Sequence, residues 1–222
     1  FAKQGHRLII CGRRKEVLDN LQIQLSNFTD VYSLVFDVRN QQEVQNAINS
    51  LPEDWKNIDV LVNNAGNAHG LEPISDANIS DWDAMMDGNV KGLLYVSQPI
   101  IKLMKANNSG HIVNISSVAA RQTYANGTVY CASKKAVDVI SEGMRLELTE
   151  FGIKVTNVQP GAVETDFSKV RFKGDEERAA TVYAGYEPLI AEDIADAISY
   201  CVNAPDRVSI AEICIYPKAQ AE

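Results

Sequence analysis

Short uninterrupted runs of Val, Ile and Leu alternate with longer amphipathic stretches from one end of this chain to the other. Strands buried on both faces have the first pattern, and helices that cover a sheet have the second. The runs fall at Arg7 to Cys11, Val31 to Asp37, Ile58 to Asn63, His111 to Ile115, Lys154 to Gln159 and Ile210 to Ile215. Helices are expected around Lys15 to Leu25, Gln41 to Ser50, Asp81 to Ala106, Gly127 to Phe151 and Ala191 to Asn203. Strand and helix in regular alternation predict an α/β fold, a doubly wound parallel sheet with helices on both faces. No linker or repeat interrupts the 222 residues, so a single domain over 1–222 is expected.

Phe1 to Gly5 look like the tail of a helix feeding the first visible strand. The expectation is that a strand, a turn and most of a helix, roughly 20 residues by average element lengths, are absent upstream. In dinucleotide-binding sheets that unit carries the glycine-rich turn for the pyrophosphate. No G-x-G-x-x-G lies near this N-terminus. A flavodoxin-like sheet that never had such a loop is the alternative.

Composition narrows the function. With 21 Lys+Arg against 29 Asp+Glu the net charge is −8, which argues against coating nucleic acid or lying on a membrane. A local basic spot for one phosphate is still compatible with it. No apolar run is long enough to cross a bilayer, and no secretion signal opens the chain. Cys11, Cys131, Cys201 and Cys214 show no close pairing, and Cys11, Cys201 and Cys214 sit in apolar stretches that read as buried. Reduced thiols and a cytoplasmic location are the expectation.

Several positions carry chemistry, each with a plainer alternative. Asn63-Asn64-Ala65-Gly66 follows directly on an apolar strand, at the carboxyl edge where open α/β sheets bind ligands. It is also an ordinary turn composition. Ser116 and Ser117 end the next strand, where a hydroxyl can hold a substrate oxygen or simply make a turn. Asn89, a mediocre helix former inside a long helical pattern, binds a water, opens a kink or faces solvent. Tyr130 and Lys134 stand four apart on one helix face. An ammonium about 5 Å from a phenolate is worth roughly 3 kcal/mol at an effective dielectric of 20, or about 2 pK units. That brings a phenol toward the neutral range where general acid–base catalysis works. Arg13 and Arg14 follow the first strand, where arginines suit a 2′-phosphate and favour NADP over NAD; the alternative is two surface arginines opening a helix, against its dipole.

Together these positions resemble the short-chain dehydrogenase/reductase family: N-N-A-G at Asn63 to Gly66, Asn89 in N-V-K-G, I-S-S-V-A ending in the serine loop, Y-C-A-S-K from Tyr130 to Lys134, and Pro160-Gly161. The resemblance implies a catalytic tetrad. Ser117 orients the substrate oxygen, Tyr130 transfers the proton, Lys134 acidifies the tyrosine and holds the nicotinamide ribose, and Asn89 anchors a relay water. It also implies cofactor contacts from Asp37 and Val38 to adenine, and from Asn63, Ala65, Gly66, Pro160, Gly161 and Val163. The missing first strand would lie in the middle of the sheet and leave two interior edges unpaired.

Within the family, the group of NADP-dependent 3-hydroxy acid dehydrogenases is most similar. The likeness rests on Trp55 to Asp59, Glu72-Pro73 and Phe167 to Asp175, which falls in a substrate loop over 164–187. It implies a small 3-hydroxy acid substrate such as serine or allo-threonine. Arg171 or Lys173 would pair with its carboxylate, or would instead tether the loop to Asp175, Glu176 or Glu177. A general carbonyl or 3-oxoacyl reductase and a catalytically silent nucleotide-binding protein are the alternatives. The resemblance also implies a homotetramer paired through the helices at 81–106 and 127–151. No metal site is expected.

Overall fold

The computed structural model describes residues 1–182 and 185–220, without the side chains at 179 and 180. Strands β1 (Leu8–Gly12) and β2 (Val31–Val35) form one parallel ladder. Strands β3 (Val60–Asn63), β4 (Gly110–Ile115), β5 (Ile153–Pro160) and β6 (Glu212–Ile215) form a second, all parallel and in that order. The edges of β1 and β3 have no strand partner among the described residues, at the position where the resemblance puts a further strand. Cys11 is exposed, against expectation. Cys201 is buried and Cys214 half-buried, and all four thiols are free.

Eight helices connect the strands among the described residues: α1 (Lys15–Leu25), α2 (Gln41–Asn49), α3 (Ile79–Met86), α4 (Gly92–Asn107), α5 (Thr128–Leu148), α6 (Phe167–Arg171), α7 (Glu176–Thr181) and α8 (Ala191–Val202). Asn40 starts α2 by accepting hydrogen bonds from the amides of Gln42 and Glu43, while its own amide donates to Glu43. Such a cap is worth about 1 kcal/mol. The stretch expected as one helix over Asp81 to Ala106 is α3 and α4 joined by a π turn, Asp87–Lys91, with Asn89 inside it. Single π turns inside α-helices recur at functional sites.

The core lies between the second sheet and α4 and α5. Met104, Ile112, Val137 and Val155 are essentially inaccessible there, and burying each such side chain contributes roughly 1.5–3 kcal/mol. On α5 the buried positions are Tyr130, Cys131, Ser133, Lys134, Val137, Ser141, Met144 and Leu148. The face that anchors the helix therefore also carries the phenol and the amine. The expected loop over 164–187 contains α6 and α7, with left-handed Lys173 between them. Residues 183 and 184 of that loop lie outside the described residues.

Interior polarity has a pH consequence in β4. Thr156 gives its hydroxyl hydrogen to Ile210 O (2.7 Å), so His111 Nε2 donates to Thr156 Oγ1 (2.8 Å). Burial lowers the His111 pKa from 6.5 to about 4. As pH falls through that window, the unfolded chain takes up a proton that the folded one refuses. Stability present above about 6.5 is therefore lost toward pH 4, by roughly 3 kcal/mol. Urea midpoints at pH 7.5 and 4.5 check this: His111→Gln should show a smaller acid-induced fall than the parent chain, whatever it does to the baseline.

Candidate active site

Four chain segments meet at the carboxyl ends of β3, β4 and β5. Just past β4, Ser117 adopts extended backbone and caps the short 3-10 turn Val118–Ala120, its Oγ accepting from the Ala119 amide at 3.1 Å. Its hydroxyl donates to Pro160 O at 3.4 Å and is near enough to the Tyr130 phenol to favour the phenolate. One helical turn further along α5, Lys134 Nζ donates to Ile115 O at 2.9 Å and stands 6.0 Å from the Tyr130 ring centre. Asn89 is held from both sides. Its Oδ1 accepts from the Asn67 amide (2.7 Å), and its Nδ2 donates to Asn67 O (2.8 Å) and Ser133 Oγ (3.0 Å).

Gly66 closes this group: a Cβ there would sit 3.1 Å from Asn89 Oδ1 and 3.4 Å from Lys134 Nζ. All four residues expected to form the tetrad thus lie around one point. Ser133 and Asn67, which brace Asn89, were not anticipated from sequence; a serine one residue before Lys134 and an asparagine one residue after Gly66 were the available signals.

The electrostatics differ from the expectation for Tyr130. Burial is the largest influence and pushes its phenol well above the ordinary range. The Ser117 hydrogen bond, and more weakly the Arg171 charge, pull the other way. The ammonium does not dominate, because a pairwise argument from helix spacing leaves out the desolvation of the ring oxygen. Lys134 is itself buried, which lowers its pKa to about 8, with the Asp138 carboxylate opposing the fall.

The cofactor-side residues divide into scaffold and open groups. Asn63 spends its amide inside the protein, donating to Ser97 Oγ (2.9 Å) and Asn114 Oδ1 (2.8 Å), and so fastens β3 to α4 and β4. Ala65 and Gly66 are exposed above it. Asp37 is gripped by Arg39, at 2.6 Å from Nη2 and 3.0 Å from Nε, with Arg13 at 3.7 Å; Arg39 chiefly holds its carboxyl below the usual range. Arg39 escaped the sequence reading, although it follows Asp37 by two residues. Val38 packs so closely on Gly92 that a Cβ there would come within 2.8 Å. Gly161 and Ala162 are fastened by Ile215 O and Gln220 Oε1, and Val163 bridges to Leu189.

These residues fit a phosphorylated dinucleotide. Arg13 and Arg14 are exposed cations at the end of β1. Lys134 keeps ammonium hydrogens beyond its one bond to Ile115, beside a glycine whose missing side chain leaves the backbone open. Two hydroxyl-seeking donors and a basic entrance are what a ribose and a 2′-phosphate require.

Opposite them lies the substrate side. A cavity of about 20 Å³, room for about one water, is lined in part by His69, Gly70, Trp82, Met85, Tyr130 and Arg171. Arg171 donates from Nε to Gly70 O (3.1 Å), and its guanidinium carbon stands 5.5 and 5.7 Å from the rings of Tyr124 and Tyr130. Its Nη2 is buried and has no hydrogen-bond partner among the described residues. Lys173 is committed elsewhere, to Asp81 Oδ2 at 2.9 Å. Tyr124, which reaches Arg171 and is pushed up by burial, was missed because no spacing ties it to residue 171. Among the described residues no group of three or more His, Cys, Asp or Glu side chains is placed to hold a metal, and no helix is long and apolar enough to cross a membrane.

A buried tyrosine and a buried lysine share one face of α5 at the carboxyl edge of a parallel sheet, and comparison with known proteins identifies the family. Residues 1–176 match the short chain dehydrogenase family, and this chain belongs to that family of oxidoreductases. It is 40% identical over 222 residues to the NADP-dependent 3-hydroxy acid dehydrogenase YdfG of Escherichia coli O6:H1, covering all of this chain and 89% of that protein. Sulfoacetaldehyde reductase 2 of Chromohalobacter salexigens is 38% identical over the same 222 residues, 88% of its length. Among solved structures, the closed form of a serine dehydrogenase complexed with NADP+ superposes with a TM-score of 0.95 at 40% identity, covering 100% of this chain and 89% of that one.

Proposed function

We propose that this chain is an NADP-dependent dehydrogenase of small 3-hydroxy acids, serine and allo-threonine among them. The observation that carries the substrate class is Arg171 Nη2, a buried donor without a partner beside the Tyr130 ring. A buried charged donor left unmade is costly, and a substrate carboxylate removes the cost by a charge-assisted hydrogen bond. In a 3-hydroxy acid the carboxylate lies two carbons from the hydroxyl-bearing carbon, a span that lets one end face Arg171 while the other faces Tyr130 and Ser117.

In this reading Ser117 holds the substrate oxygen, Tyr130 takes the hydroxyl proton on oxidation and returns it on reduction, and Asn89 fixes a relay water. Lys134 holds a ribose hydroxyl and adds positive charge near the phenol. Bound NADP+ supplies the hydride acceptor, and its positive nicotinamide favours the phenolate that burial alone disfavours. The names of the similar proteins support NADP, as do Arg13 and Arg14. The free cysteines suit a cytoplasmic location. Apolar Leu94 of α4 and Val139 and Leu146 of α5, all exposed, suit a homo-oligomer, here proposed to be a tetramer.

Steady-state rates with NADP+ and NAD+ on L-serine, L-allo-threonine, 3-hydroxypropionate and an uncharged alcohol, with sulfoacetaldehyde tested in reverse, decide among substrates. NADP+ with a carboxylate-bearing alcohol should lead; preference for NAD+, or turnover of the uncharged alcohol alone, rejects the proposal. Arg171→Met should raise KM for L-serine roughly 10–100-fold, the worth of one charge-assisted hydrogen bond. Its KM for an uncharged ketone should change by less than about threefold. Equal effects on both would remove Arg171 from the carboxylate.

A further inference from the structure

One buried acid in the same helix has no part in the roles above. Asp138 follows Lys134 by one turn of α5, and its side chain is only 10% exposed. Its Oδ1 accepts from Asn157 Nδ2 of β5 at 2.7 Å and lies 2.7 Å from Ser116 Oγ, at the end of β4. Ser116 Oγ also stands 2.9 Å from the carbonyl oxygen of Lys134, so its single hydrogen is shared between the carboxylate and that carbonyl. Asp138 therefore fastens β4, β5 and α5 together at the residue before Ser117 and at the backbone of Lys134.

We propose that Asp138 is a positioning residue for Lys134, a buried carboxylate that locks the Ser116–Ser117 corner onto α5 and supplies the interior counter-charge of the ammonium. The proposal rests on the tetrad reading above. An acid in this place is otherwise unfavourable: removing a carboxylate from water costs several kcal/mol unless it is hydrogen-bonded and paired. Asn157 and Ser116 provide the hydrogen bonds, and exposed Lys135 reaches Oδ2 only at 3.6 Å. Lys134, sealed from solvent and in no direct salt bridge among the described residues, gains from a negative charge one turn away. Other charged or titratable groups around the pair are Tyr130, Cys131 and Lys135 on α5, Tyr124 ahead of it and Arg171 on α6. The groups that β4, β5 and the π turn offer, Ser116, Asn157 and Asn89, are neutral.

The test needs no turnover. Protein labelled with 13C at the lysine ε-carbon is titrated without dinucleotide, the Lys134 signal being assigned by its loss in Lys134→Met. The parent chain should titrate at about 8. Asp138→Asn, which keeps the shape and removes the charge, should lower that midpoint by roughly one pH unit, the size expected of one charge at this range and an effective dielectric near 20. Ser116→Ala, which loosens the corner and keeps the charge, should move it by less than about 0.3 unit. An unchanged midpoint in Asp138→Asn, or an equal fall in Ser116→Ala, overturns the proposal. If Asp138→Asn does not fold, Asp138→Glu must fold and titrate near the parent midpoint; if neither folds, or the midpoint falls in Asp138→Glu too, the role is structural only. Should the substrate panel fail while these shifts appear, the substrate reading is wrong and the positioning role stands.

Discussion

Replacing Lys134 by methionine is expected to cut turnover by orders of magnitude and raise the melting temperature in the same variant. The ammonium is 6% exposed, and burial holds its pKa at about 8 against 10.5 for a free lysine. At neutral pH the charged form is therefore disfavoured in the fold by roughly 3 kcal/mol relative to the unfolded chain. Methionine fills a similar volume without a charge. The hydrogen bond lost to Ile115 O takes back about 1 kcal/mol, which leaves a net gain on the order of 2 kcal/mol and about 4–8 °C. The sign is checked by pH. The native state releases the lysine proton near 8 and the unfolded chain near 10.5, so the parent chain gains stability between those values and the advantage of the variant shrinks to nothing above them. Turnover should fall roughly 10²–10⁴-fold, as when a proton-transfer group loses its electrostatic support, and dinucleotide affinity should fall by about tenfold or more. Differential scanning calorimetry at pH 7 and 10, beside NADP+ reduction rates, measures both halves. A variant that melts lower than its parent would mean that the amine stabilises the fold rather than the reaction.

The interior strands could be read from the chain to within a residue or two. β4 and β5 are covered on both faces, so Ile112, Val113, Val155 and Val158 are buried, although His111, Asn114, Thr156 and Asn157 interrupt the apolar run. The long helices carried the 3.6-residue period that a buried face imposes, and α5 differs from the expected span only where its last turn tightens to a 3-10 helix. The π turn at Asp87–Lys91 left no such mark. One extra residue per turn barely disturbs the apolar period of α3 and α4, and only the placement of Asn89 in a helical context hinted at it. α6 and α7 are only five and six residues long, too short for periodicity to register.

Within the site, contacts close in sequence were readable and distant ones were not. Tyr130 and Lys134 share a turn, and Asn89, Ser117 and Gly66 followed from motif likeness. The pairing of Lys173 with Asp81 spans 92 positions, and that of Arg171 with Gly70 spans 101. No local pattern encodes either. In the fold Lys173 tethers the loop through Asp81 rather than the nearby acids, and Arg171 ties it to Gly70 while its Nη2 has no hydrogen-bond partner among the described residues. The phenol's acidity failed for a related reason. Spacing reports a neighbouring charge and is blind to burial, which is the largest influence on the Tyr130 phenol.

Tyr130→Phe is expected to remove catalysis while leaving the site assembled. The ring packs edge-on against Phe167, with centroids 5.7 Å apart, and phenylalanine keeps that contact. Only the hydroxyl is lost, and with it the hydrogen bond from Ser117 and the atom that would exchange a proton with substrate. Ser117 retains its bond from Ala119, so the loop has reason to stay in place. A positioned acid–base group contributes roughly 10²–10⁴-fold to rate, whereas one net hydrogen bond to a ligand is worth at most about tenfold in affinity. The most direct measurement pairs NADPH binding by fluorescence with the maximal rate of NADP+ reduction by L-serine, for the parent chain and Tyr130→Phe. The phenol-centred mechanism predicts a kcat lower by about two to four orders of magnitude with NADPH affinity inside about tenfold. A variant that turns over at the parent rate would contradict it, because some other group would then be carrying the proton.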